Sequence, residues 1–366
     1  AAPISGDEGL VGALVYVSQV QEIYQNLHEM QLKILTWLLV VAAAVILMNV
    51  FALRTITRPV SELREGIAKM SGGDFSAHVN VRGRNEFAEL GEWARRIQAV
   101  DNEHFCYLNL FPTGPKEHLD QLGVKSYREY VSRFDEQVPL PFLTFDHYPI
   151  TRDGLKAEWY ENLEEFSDEA RKAGKPFWAF ALATAHEPYP IPDLAQLRLQ
   201  VYSDLAYGAQ GIQYFTYWTP EKNPTWDFHH APVERSSGRR TDVYDKIKQM
   251  NAEIRALSGV FLGCEVVSVR HTGESIPRGT VRLTELPDGV KKLETTGAGA
   301  VVSELRNGNN RFIVIVNRDF KNSMTLQIEL DETASRILKD GSVVPASIYH
   351  ETMVVEPGDA MIYMFK

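Results

Sequence analysis

Between Phe105 and Ser258 the chain alternates short apolar runs with amphipathic ones four times. FCYLNLF is followed by YREYVSRFDEQV, PFLTFDHY by YENLEEFSDEARKAG, PFWAFALAT by LAQLRLQVYSDLAYG, and GIQYFTYW by TDVYDKIKQMNAEIRALS. Apolar strands that each lead into a helix call for a parallel sheet with helices outside it. After about Val260 the runs shorten and are divided by turns, as in RFIVIVNRD, SMTLQIEL, ASIYHETMVVEPG and AMIYMFK, which predicts an antiparallel β domain over 260–366.

The ends of the four strands share a composition. They read NLFPTG, FDHYPI, ATAHEPYP and FTYWTP, each mixing polar groups with rings and proline. Chemistry in a (β/α) barrel sits where its strands finish. A mouth of this kind suits sugar rings, whose apolar faces stack on aromatics while their hydroxyls bond to Asp, His, Asn and Glu. Asn109, Asp146, His147, Tyr148 and His186 are the candidate hydroxyl ligands, and Tyr217 with Trp218 the stacking platform. A structural hydrogen bond between Asp146 and His147 is the alternative for that pair. Trp226, in the looser NPTWDFHH, is a weaker candidate, and His229 and His230 read as a polar loop, because no carboxylate or cysteine stands at metal-ligand spacing from them.

Upstream lies a different kind of chain. Ile34–Leu53 carries no charge over about 20 residues, enough to span ~30 Å of hydrocarbon as a helix, and reads as a transmembrane segment. Arg54, Arg58, Arg64 and Lys69 follow it, whereas Asp7, Glu8, Glu22 and Glu29 precede it, which predicts a single-pass protein with the part after residue 54 in the cytoplasm. Before the span, GLVGALVYVSQVQEIYQNLHEMQLK alternates like a last strand and then turns helical, as the end of an extracytoplasmic sensor region would. The chain opens AAPISGDEG without methionine, as a fragment or processed product would. Phe87, Leu90, Ala94 and Ile97 mark an amphipathic helix that feeds the strand at Phe105, and a strand there is incompatible with a coiled coil running on. The helix is therefore read as an outer helix of the parallel-sheet domain.

Two resemblances follow. Pro59, Glu62, the pair Gly72 and Gly73, and NEFAEL resemble a HAMP domain, the helical relay of bacterial sensor kinases and chemoreceptors, although NEFAEL lacks the glycine usual there. FDHYPI, KPFWAFALATAHEPYPIP and LRLQVYSDLAYGAQGIQYFTYWTP resemble the C-terminal half of a β-galactosidase-like, clan A type glycoside hydrolase barrel with its β-sandwich. That second resemblance implies hydrolysis by two carboxylates, an acid/base after strand four and a nucleophile after strand seven. Counting FTYWTP as strand eight makes Glu187 the positional nucleophile, with a solvated turn residue as its alternative reading. No strand ending in an apt carboxylate precedes Phe87.

The expected fold is thus α/β: a partial (β/α)8 barrel of about four units over 87–259 and a β-sandwich over 260–366. A sensor end at 1–33, a transmembrane helix at 34–53 and a HAMP-like segment at 54–86 precede them. A join of two truncated families near 84–90 accounts for the sequence best. Function is expected to be glycoside hydrolase-like, acting on or binding carbohydrate, with hydrolysis impaired by the missing half-barrel and acid/base. A HAMP signal relay, pairing as a homodimer through its helices, and a non-catalytic carbohydrate-binding remnant are the alternatives. The net charge of −10 and the lack of a basic run argue against nucleic acid, and no cofactor or metal is implied. Cys106 and Cys264, far apart in apolar surroundings, are expected to be buried free thiols.

Overall fold

The computed structural model describes residues 2–6, 9–14, 30, 33, 35–38, 86–346 and 351–366. The chain divides into two compact units, 1–82 and 83–366. In the first, β1 (Ala2–Gly6) and β2 (Gly9–Leu14) form an antiparallel pair. The span expected at 34–53 lies outside the described residues except for 35–38, and the HAMP-like segment lies outside them up to residue 85. Among the described residues no helix is long and apolar enough to cross a membrane, and this corrects the single-pass, cytoplasm-facing placement read from charge and hydropathy. The helices Tyr127–Gln137, Trp159–Lys172 and Asp242–Ala256 of the second unit are amphipathic instead, burying one side and keeping charged side chains on the other.

In the second unit, α1 (Glu86–Val100) and the short α2 (Lys116–Gln121) precede α3 (Tyr127–Gln137). The ring of Phe87 lies 5.7 Å from that of Tyr130 and 6.1 Å from that of Phe134, which seats α1 on α3. Gly91 permits the close approach: a Cβ there would meet the Gln137 carbonyl oxygen at 2.0 Å. The parallel sheet contains β3 (Leu143–Phe145), β6 (Phe177–Leu182) and β7 (Gly211–Phe215), extended on the β3 side by a single parallel bridge at Leu110. A small hairpin, β4 (Ile150–Thr151) with β5 (Gly154–Leu155), leaves the end of β3. Outside the sheet lie α3, α4 (Trp159–Lys172), α5 (Leu194–Ala206) and α6 (Asp242–Ala256), with the short α7 (Ser258–Phe261) after them. Ser126 caps α3, and Asp193 with Gln196 closes a capping box on α5.

Alternation along the strands sets the two faces. Leu143, Phe145, Phe177, Ala179 and Ala181 are buried under the helices, where Phe145 meets Phe166 of α4 at 4.4 Å. On the opposite face Phe142 stacks on Trp178 at 4.2 Å, and a Cβ on Gly211 would come within 2.7 Å of that indole. There Gln213 donates to the Tyr107 hydroxyl and to Thr144 Oγ1, each at 3.1 Å, and so ties three strand positions together.

The remaining chain forms two antiparallel sheets. The first holds β8 (Glu265–His271), β10 (Ala300–Asn307), β11 (Asn310–Asn317), β13 (Ser335–Ile337), β14 (Val343–Pro345) and β16 (Ala360–Phe365). The second holds β9 (Val290–Thr295), β12 (Met324–Leu330) and β15 (Glu351–Val355). The central strands of the first sheet, β10, β11 and β16, are buried on both sides. Val301, Leu305, Phe312, Val314, Val316 and Ile362 join the core beneath the helices, whereas Ala300, Val302, Ile313, Ile315, Met361 and Tyr363 join that of the second sheet. Ser303, fully buried, donates to the Ala206 carbonyl at 2.6 Å across the junction.

Arg198 of α5 makes a two-pronged contact with Glu253 of α6, at 3.2 and 2.5 Å, and reaches Asp359 of the sandwich at 3.7 Å. The Tyr202 hydroxyl donates to the same Glu253 carboxylate at 2.8 Å. Burial works to raise the Glu253 carboxyl, but Arg198, Tyr202 and Gln249 outweigh it and hold it below 4.5. A carboxyl depressed in the fold stabilises fully above its unfolded value and loses that contribution as pH falls through the folded one. Thermal melts of Glu253→Gln should therefore show lower stability than the parent at neutral pH, with the gap closing as pH drops below 4.5. A gap independent of pH would exclude the carboxylate as its source.

Candidate functional site

The strand ends converge on one mouth, and the parity of β3 decides which groups enter it. Thr144, Asp146 and Tyr148 share one parity, and Phe145 and His147 the other. Asp146 Oδ1 accepts from Asn109 Nδ2 at 2.5 Å, while Asn109 Oδ1 accepts from Thr144 Oγ1 at 3.1 Å, so the amide is held from both ends. Burial lifts the Asp146 carboxyl to about 6, against the opposing effects of Asn109, the Tyr148 hydroxyl and the Lys156 charge. His147 points the other way. It is buried, its Nδ1 lies 3.1 Å from Asn162 Oδ1, and burial followed by the Lys156 charge depresses it to about 3. Because Asn162 Oδ1 also accepts from the Thr113 amide at 2.5 Å, His147 Nδ1 is the donor of the pair. The Asp146–His147 hydrogen bond considered from sequence is replaced by two separate partners.

The second wall comes from the segment after β6. His186 is 4 % exposed, and its Nδ1 sits 3.1 Å from the Thr184 carbonyl. A carbonyl only accepts, so Nδ1 carries the proton and Nε2 presents a lone pair. Burial first, and then the His229 and Lys156 charges, lower its basicity and favour the neutral ring. Four rings surround it: Phe228 at 4.7 Å, Tyr189 at 4.8 Å, Trp226 at 5.4 Å and Phe215 at 6.1 Å. Lys156 Nζ donates to the Tyr189 hydroxyl at 2.9 Å and lies 5.0 Å from the centre of the same ring.

Glu187 is exposed. Its carboxylate pairs with Arg152, and its amide donates to Asp227 Oδ1 at 2.9 Å. Tyr217 and Trp218, 55 % and 48 % exposed, stand edge to face with centroids 5.5 Å apart, so they offer two perpendicular surfaces instead of one flat platform. Backbone bonds between Tyr217, Thr219 and Val233 hold them upright. His229 and His230 share an Nδ1···Nδ1 contact of 2.8 Å, and among the described residues no group of three ligating side chains could hold a metal ion. Cys106 and Cys264 are free and half-buried.

Three participants escaped the sequence reading, Lys156, Tyr189 and Phe228, while Trp226 was its weaker candidate. Trp226 stands on a turn built by Asn223, whose Oδ1 accepts from the Thr225 and Trp226 amides at 2.9 and 2.8 Å. Its indole Nε1 is buried with no partner among the described residues.

Comparison with known proteins matches residues 51–92 to the HAMP domain model and residues 116–257 to a beta-galactosidase family model. The sensor protein kinase WalK of Staphylococcus aureus strain JH9 is 24% identical over 88 residues, 24% of this chain and 14% of the kinase. The chain thus covers about a seventh of that relative's length. A beta-galactosidase from the psychrophilic Marinomonas ef1 aligns at 13% identity and TM-score 0.36, covering 47% of this chain and 26% of the other. The rhamnosidase of Novosphingobium sp. PP1Y aligns at 8% and 0.39, covering 64% and 35%. Segments that resemble two families thus stand side by side in this chain, a HAMP-like one over 51–92 and a glycoside hydrolase-like one over 116–257.

The perturbed carboxyl has a stability consequence of its own. A carboxyl raised in the fold above its unfolded value favours folding most when protonated, and its contribution fades as pH rises through about 6. Asp146→Asn, which keeps the acceptor facing Asn109, should raise the melting temperature at pH well above 6 and leave it nearly unchanged at pH 4. Calorimetry at the two pH values reads the difference, and equal shifts at both would sink the assignment.

Proposed function

We propose that the mouth binds a pyranoside, with Asp146 and Asn109 taking adjacent hydroxyls and Trp218 or Tyr217 covering an apolar face of the ring. The observation that carries this reading is the Asp146 carboxyl, fixed from one side by Asn109 and lifted to about 6 by burial. At neutral pH it is largely ionised, so it can accept hydrogen bonds from sugar hydroxyls beside those it already takes from Asn109 and Tyr148. His186 Nε2 supplies a further acceptor between four rings. The beta-galactosidase match over 116–257 makes β-galactosides the first ligands to try.

Hydrolysis is a separate demand. It needs two carboxyl groups, one protonated and one ionised, placed on either side of the scissile bond. Glu187 is the candidate nucleophile by its place after β6, yet its carboxylate is engaged by Arg152 in solvent. At the mouth, Asp146 is a carboxyl that burial lifts to about 6, and it stands on the neighbouring strand. We therefore assign the protein sugar binding with strongly impaired turnover. A signal relay, favoured by the HAMP match alone, leaves this mouth without a role.

Titration calorimetry of the full chain with methyl β-galactoside, beside a nitrophenyl β-galactoside assay, tests the reading. Asp146→Ala should weaken binding roughly tenfold to a hundredfold, since charged hydrogen bonds contribute about 1.5–3 kcal/mol. Loss of a stacking ring in Trp218→Ala should cost about threefold to tenfold. Any residual turnover should vanish in Glu187→Gln with binding retained. Undetectable binding by the parent chain across β-galactosides and other simple pyranosides would refute the assignment.

A further inference from the structure

Five of the described lysines are half-buried, and four of them face a carboxylate. Lys175 pairs with Asp135 at 2.6 Å, Lys246 with Asp242 at 2.7 Å, Lys292 with Glu294 at 3.2 Å, and Lys339 with Asp359. The fifth, Lys156, forms no ion pair among the described residues. Its Nζ donates to the Tyr189 hydroxyl at 2.9 Å, and its amide donates to the Pro149 carbonyl at 2.8 Å, which closes the base of the β4–β5 hairpin. An ammonium has three donors, so two remain. The group belongs to the mouth. Tyr189 meets His186 at 4.8 Å and Tyr148 at 6.0 Å, and the Tyr148 hydroxyl reaches Asp146, so a row of contacts joins Lys156 to both walls. Its charge acts on Asp146, His147 and His186 alike. The carboxylates there are engaged elsewhere: Asp146 with Asn109, Glu187 with Arg152, and Asp227 with the Glu187 amide.

We propose that Lys156 selects pyranosides carrying an anionic substituent, a carboxylate or a sulfate ester, at the exocyclic carbon. The inference rests on the pyranoside reading above and names its substrate class. A half-buried charge has lost part of its water, and a hydroxyl partner satisfies a donor without balancing the charge. An anion does both, and hydrogen bonds between charged groups are roughly twice as strong as neutral ones. Arg152 is the less suitable cation of the mouth, because Glu187 already neutralises it in solvent. Lysine presents a point charge on rotatable donors, so it accepts the oxygens of a carboxylate or of a sulfate without the fixed fork that an arginine imposes. The exocyclic carbon projects beyond the ring hydroxyls taken by Asp146 and Asn109. A negative group placed on it lies against the ammonium and away from Asp146, which forms no ion pair with Lys156 among the described residues.

Titration calorimetry of the full chain with three sugars that differ only at that carbon tests the inference: methyl β-galactoside, methyl β-galacturonide and methyl β-galactoside 6-sulfate. At least one anionic sugar should bind about tenfold or more tightly than the neutral one, and the preference should shrink as salt is raised. Preference for the uronate alone assigns a carboxylate site, and for the sulfate alone a sulfate site. Lys156→Met should bring the ratio of anionic to neutral affinity to about one, and Lys156→Arg should restore much of it, with melting temperatures showing that both variants fold. Should the methionine variant unfold, the parent decides, since a preference indifferent to salt would overturn the inference. Equal or weaker binding of both anionic sugars by the parent, or a preference that survives Lys156→Met, would overturn it too and leave the pyranoside reading standing. Binding of none of the three sugars would defeat that reading itself, and the inference with it.

Discussion

The stack of Phe142 on Trp178, made possible by the missing side chain at Gly211, is what allows this parallel sheet to keep one face free of helices. A closed barrel fills its interior with side chains from all of its strands. Here the described strands are four, counting the bridge at Leu110, and the inward side must satisfy itself. It does so with two devices. The aromatic stack fills the end remote from the mouth, and the Tyr107, Thr144 and Gln213 bonds draw the outer strands toward each other. Polar groups on this face are thus bound to one another before the mouth is reached, and the groups beyond them are left for a ligand.

That division places the chemistry. Thr144 is both a member of the inner network and the donor that orients the Asn109 amide, and Asn109 in turn fixes Asp146. Burial raises the Asp146 carboxyl while the amide and the Tyr148 hydroxyl restrain it, and the outcome near 6 reflects a contest that either side alone would push much further. His186 is tuned by similar means, since its surrounding rings disfavour charge and the Thr184 carbonyl fixes which nitrogen is bare. Glu187 lies outside this low-dielectric region. It is exposed and paired with Arg152, whereas Asp146 is buried.

Much of this was legible in the residues, and the limits of legibility have physical causes. The four strand-helix units were visible because each short apolar run leads into an amphipathic one. The first of them was overread: FCYLNLF makes one bridge, at Leu110, because an edge position needs partners on only one side. Asp146 and His147 both stand at a strand end, but which of them meets Asn109 and which Asn162 could not be told without parity, which needs one inward residue such as Thr144 to be known first. Trp226 and Phe228 arrive from a loop far along the chain, and no local pattern announces that a loop will fold back over a strand end. The wholly apolar run before residue 54 drew a membrane reading because hydropathy was the sole guide there.

The sandwich is more than an appendage, because the central strands of its larger sheet have no solvent face. Successive residues of RFIVIVN enter different cores: Phe312, Val314 and Val316 go beneath α5, and Ile313 and Ile315 into the sandwich. A shift of one residue in register would exchange the two sets, yet both are apolar, so side-chain polarity alone cannot fix the pairing. Polar anchors on this sheet can. Ser303 reaches the Ala206 carbonyl, and Asn317 donates to three carbonyls, those of Asn322, Val355 and Glu356. Each has its partners in one register and would be left buried and unpaired in the next, at about 1–3 kcal/mol apiece. Specificity in the most apolar part of the molecule therefore comes from its few polar side chains, as it does at the mouth.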